Sequence, residues 1–111
     1  MTREELIAAL EAATGPSRKL DAEIDILALE NGWRAERYMT PDTTPSYTAS
    51  IDAALTLVPK WWAWGLCVNE TGPGGAYCDM GEHRFAATHL IPAIAICIAS
   101  LKARGEVTAP A

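Results

Sequence analysis

Residues 61–82 decide the fold: WWAWGLCVN (61–69), ETGPGG (70–75), AYCDMGE (76–82). In the first run, Trp62, Trp64, Leu66 and Val68 alternate with Trp61, Ala63, Gly65 and Cys67. A period of two with bulky β-formers on one side predicts a strand. The glycine- and proline-bearing 70–75 stretch is turn material. The third run alternates again, Ala76, Cys78 and Met80 against Tyr77 and Asp79. Together they predict an antiparallel hairpin over 61–82. Two strands alone are marginal in water, so helices must cover them. The bulky face is expected to supply most of the buried area, and the small face of Ala63, Gly65 and Cys67 to admit a helix closely.

Upstream, PSYTASIDAALTLVPKWW (45–62) feeds this hairpin. Ser50 is a candidate helix N-cap with Asp52 in the first turn, and Pro59 stops the helix. Ile51, Ala54, Leu55 and Val58 form its expected docking stripe. The segment is too short to be helical without packing. The preceding TPDTTPSYTAS (40–50) is a hydroxyl-rich loop. GWRAERYM (32–39) reads either as an edge strand over about 33–38 or as an irregular link.

The N-terminal third predicts two helices. Thr2 and Glu5 spell a capping box, so the first begins at residue 3, with Leu6, Ile7, Leu10 and Ala13 on one face. Gly15-Pro16 closes it. Ser17 caps a second helix that Asn31-Gly32 ends. That helix is apolar on two sides. Leu20, Ile24, Leu27 and Ala28 share one face, and Ala22, Ile26 and Leu29 the other. Acidic lanes, Asp21/Asp25 and Glu23/Glu30, separate them and read as solvated. The second stripe is met either by another layer of the fold or by another chain.

After the hairpin, HRFAATH (83–89) leads to a helix over about 89–104. Pro92 stands in its first turn, Leu90, Ile94, Cys97, Ile98 and Leu101 share a face, and Gly105 ends it. The reading is a single domain over 1–104 with a flexible tail over 105–111.

The totals narrow the function. The 111 residues carry 14 acids, 9 Lys or Arg and a formal charge of −5. Nucleic-acid backbone binding needs a basic face, and none is visible. The apolar run 90–101 holds Pro92 and falls short of the ~20 residues of a bilayer span. The opening MTREELIAAL lacks a signal-peptide pattern. Three cysteines, Cys67, Cys78 and Cys97, cannot complete a disulfide framework. They read as reduced thiols of a cytosolic protein, with a Cys67–Cys78 bridge as the alternative.

Candidate chemistry is sparse. His83 and His89, with Asp79, Glu82 and Cys78 nearby, lack the paired spacing of a zinc site. A Cys78–His83 or Cys78–His89 nucleophilic pair needs an orienting third group that no signature supplies. The 71–77 glycines are not a phosphate loop. Of the four tryptophans, at least one of Trp61 and Trp62 must point away from the buried face, which makes Trp61 a candidate protein contact. The expectation is therefore no catalytic residue, no metal and no cofactor. Partner contacts are assigned to Asp21, Glu23, Asp25, Glu30 and Trp61.

LEAATGPSRKLDAEI (10–24), PSYTASIDAALTLVP (45–59) and the Thr88 to Arg104 pattern of Pro, Ala, Cys and Leu resemble the phage ABA-sandwich domain family of small phage and prophage proteins. Two departures stand out: the link between Gly32 and Pro45 is short, and His89-Leu90-Ile91 separates Thr88 from Pro92. The resemblance implies an α+β fold in α/β/α layers, a small antiparallel sheet between helices. It implies no active site. It suggests a small acidic accessory protein in the bacterial cytoplasm that binds another protein, such as a basic nucleic-acid-processing or defence protein of the host, in an anti-CRISPR-like manner. A homo-oligomeric virion or packaging accessory is the second reading and a Cys/His enzyme the third; a homodimer is a possible state of the chain.

Overall fold

The computed structural model describes residues 1–33, 44–59, 62–67, 74–80 and 83–107, with residues 106 and 107 described through their backbone alone. The elements are α1 (Arg3–Ala12), α2 (Arg18–Glu30), α3 (Ile51–Leu55), β1 (Ala63–Cys67), β2 (Gly74–Met80), β3 (His83–His89) and α4 (Pro92–Val107). The α+β class holds, with helices and a three-stranded antiparallel sheet in the order β1-β2-β3.

Local chemistry sets the helix ends. Thr2 and Glu5 form the reciprocal capping box, and this hydrogen bonding holds the Glu5 carboxyl below its usual pKa. Ser17 and Ser50 each accept a backbone N–H three residues on, from Leu20 and Ala53. Gly32, at φ 72°, closes α2. Its N–H donates to the Leu29 carbonyl at 3.3 Å and that of Trp33 to Ala28 at 2.8 Å, the paired bonds of a Schellman motif.

The hairpin lies where the periodicity places it, with Gly65 opposite Tyr77 and Cys67 opposite Gly75. The third strand is β3. Its register pairs Cys78 with Phe85 and Ala76 with Ala87. The suggested strand over 33–38 lies, beyond Trp33, outside the described residues. Opposed residues of a pair share a face. One face therefore carries Trp64, Leu66, Ala76, Cys78, Phe85, Ala87 and His89. The other carries Ala63, Gly65, Cys67, Tyr77, Asp79, Arg84, Ala86 and Thr88.

Among the described residues the helices stack on one face of the sheet. α4 packs on β2 and β3, α1 and α3 pack on α4, and α2 packs on α1. The middle layer is thus a helix. Every residue from Ala93 to Leu101 is buried, which explains why α4 is apolar all round. A helical layer over the second sheet face is not among the described residues, and Ala63, Cys67, Arg84, Ala86 and Thr88 on that face are exposed. Gly65 admits no helix there, because the Tyr77 ring occupies the place of its missing side chain.

Other expectations shift in detail. Trp62 is buried and tilts against Phe85 at 6.0 Å between ring centroids, but Trp64 stays 46% exposed. On α3, Ala54 and the following Leu57 are buried, whereas Ile51 is exposed. α4 begins at Pro92, leaving Leu90 outside it and exposed, and runs through Gly105. Gly105 admits the Arg3 side chain against its Cα.

Candidate functional site

The proposed contact residues on α2 fall into two groups. Asp21 and Asp25 are buried, at 1% and 0% exposure, which corrects their reading as solvated surface acids. Asp21 Oδ1 accepts from the Thr48 amide and hydroxyl, both at 2.8 Å, and Oδ2 accepts from Arg18 at 3.0 Å. Asp25 Oδ1 accepts from the Tyr47 hydroxyl at 2.9 Å. Arg18 also reaches the Thr44 carbonyl at 2.9 Å and Ser46 Oγ at 3.0 Å. The Ser17 amide donates to Thr48 Oγ1 at 2.8 Å. The acids thus clamp the 44–48 segment onto α2, an internal role that a buried carboxylate can fill only when hydrogen-bonded.

Glu23 and Glu30 remain at the surface. Glu23 is partly exposed and meets the N-terminal ammonium at 3.3 Å; Glu30 is exposed. Beside this acidic lane runs the second stripe of α2, Ala22, Ile26 and Leu29. Ala22 and Leu29 are half-buried and Ile26 is 38% exposed. Trp61 lies outside the described residues.

The groups considered for chemistry have other occupations. Cys78 is buried with its sulfur 3.7 Å from Ser100 Oγ, and burial pushes its pKa up. An activated thiol needs the opposite shift. Cys97 donates to the Tyr47 carbonyl at 3.3 Å, and burial pushes its pKa up further still. His89 spends both ring nitrogens on backbone. Nδ1 accepts from the Ile91 amide at 2.9 Å, so Nε2 carries the proton donated to the Ala13 carbonyl at 2.8 Å. Among the described residues no group of three or more His, Cys, Asp or Glu could hold a metal ion. No described helix is long and apolar enough to cross a membrane.

All three thiols are free. Cys67 and Cys78 stand on opposite sheet faces, so the alternative bridge has no geometry. One thiol, Cys67, is exposed. Native protein is therefore expected to titrate a single fast thiol with Ellman's reagent and three in denaturant. A second fast thiol in the folded protein would contradict the burial of Cys78 and Cys97.

A shallow groove of about 400 Å³ lies between the end of α1 and the end of β3, lined by Ala13, Thr14, Thr88, His89 and Leu90. It presents no unspent polar group of His89. No family model, no curated protein and no solved structure matches the chain.

Proposed function

We propose that this protein is a non-enzymatic binder of another protein and that the outer face of α2 makes the contact. The observation that carries this reading is the exposed Ile26 in an apolar stripe bordered on one side by the acids Glu23 and Glu30. An exposed apolar anchor beside surface charge suits a protein partner. With a formal charge of −5 on the chain, the partner is expected to be basic. The resemblance to the phage ABA-sandwich family gives the setting: a phage or prophage accessory in the bacterial cytoplasm, acting on a nucleic-acid-processing or defence protein of the host.

The test is capture from host lysate with wild type and with a Glu23→Lys/Glu30→Lys variant, then titration of the purified partner at low and high salt. The variant is expected to weaken binding at least about tenfold and to flatten its salt dependence. Ile26→Arg is expected to weaken it at every salt concentration. Affinity indifferent to all three changes excludes this face. The second reading, a repeated virion or packaging accessory, draws on the outer edge of β1, with which no described residue pairs.

A further inference from the structure

The two edges of the sheet are built differently. β3 carries the exposed His83 and Arg84, and the Lys102 ammonium donates to its Ala86 carbonyl at 3.2 Å. Charge along an edge discourages another strand from pairing there. β1, at the other edge, reads Ala-Trp-Gly-Leu-Cys. It has no charge and no proline, and its register against β2 runs unbroken through all five residues. Among the described residues nothing pairs with its outer side. Its one large side chain at the surface is Trp64, 46% exposed.

We propose that β1 is a self-association edge, through which two copies of this chain join antiparallel about Gly65 into one six-stranded sheet. A twofold interface of this kind places the same strand against itself. In the Gly65-centred register, Trp64 stands opposite the partner subunit's Leu66, and Ala63 opposite the partner subunit's Cys67. Bulky meets bulky on one face and small meets small on the other. Gly65 meets its own copy, with Tyr77 of each subunit already lying over the bare Cα. No like charges face each other, although each chain carries −5. That match of the strand to itself is what selects a second copy over a foreign strand, which would gain only backbone hydrogen bonds. The inference is independent of the α2 reading, since it uses no residue of α2.

Light scattering over a concentration series tests it. Wild type is expected to approach twice its 11.9 kDa chain mass as concentration rises. Trp64→Lys, at an exposed position, is expected to keep the native circular dichroism spectrum and to raise the dimer dissociation constant at least about tenfold. The register has its own test. Ala63→Cys is expected to form a disulfide-linked dimer on mild oxidation, and adding Cys67→Ser should abolish it. In wild type the two Cys67 residues sit roughly 13 Å apart along the strands and should not link. A wild type that stays monomeric throughout, a dimer indifferent to Trp64→Lys, or an Ala63→Cys cross-link that survives Cys67→Ser would each overturn the proposal.

Discussion

Replacing Asp21 with Ala is expected to lower the unfolding free energy by about 3 kcal/mol and the melting temperature by roughly 15 °C. Three hydrogen bonds end on this carboxylate, two of them from Thr48, which is itself fully buried. Without Asp21 the Thr48 amide has lost its acceptor in a place water does not reach. Leaving a buried donor unmade costs more than the bond was worth, and the Thr48 hydroxyl keeps only its longer bond to the Ser17 carbonyl at 3.3 Å. Glu23→Ala is the matched control. It sits two residues away on the same helix, and a surface ion pair contributes little. Thermal melts and urea curves on the pair separate the roles: equal stability of the two variants would mean that Asp21 is a surface acid after all. This also decides how partner binding should be probed. An Asp21 or Asp25 variant that loses affinity reports on the fold of the 44–48 segment, whereas Glu23 and Glu30 report on the surface.

The second large effect is expected in α4. Ile98→Ala should cost about 3 kcal/mol, because Ile98 has no exposure and neighbours on every side. Ala99→Leu, one residue on and equally buried, should cost about 2 kcal/mol for the opposite reason, crowding instead of a void. Ile26→Ala on the open side of α2 should stay under about 1 kcal/mol. Urea denaturation at constant m-value checks all three. If Ile98→Ala and Ile26→Ala fell within error of each other, α4 could not be the middle layer.

What the sequence discloses divides by distance along the chain. The caps at Thr2, Ser17 and Ser50 and the Asn31-Gly32 stop are legible because donor and acceptor lie within five residues. The hairpin is legible because alternation is local. Asp21 and Asp25 are not, since Thr48 and Tyr47 are 27 and 22 residues away. A signal was nonetheless present: two acids one turn apart beside the stripe Leu20, Ile24 and Ala28, and hydroxyls in a loop with no other work. β3 alternates too, Phe85, Ala87 and His89 against Arg84, Ala86 and Thr88. Its alanines are poor strand formers, so the pattern carries little weight until β2 offers a partner. Which face of the hairpin a helix would cover depended on where Tyr77 lies, and residue spacing cannot tell that. Of the candidate contact surface, Glu23, Ile26 and Glu30 were legible from helical phase alone.

The helix at the centre of the molecule is also the latest in chain order of the elements described. On the ribosome, Leu6, Leu10 and Ile24 are made early, and their apolar faces stay uncovered until residues 92–104 have left the exit tunnel. The protein should therefore mature after synthesis of its core helix, in one late step, and nascent chains stalled ahead of Pro92 should be prey for proteases and chaperones.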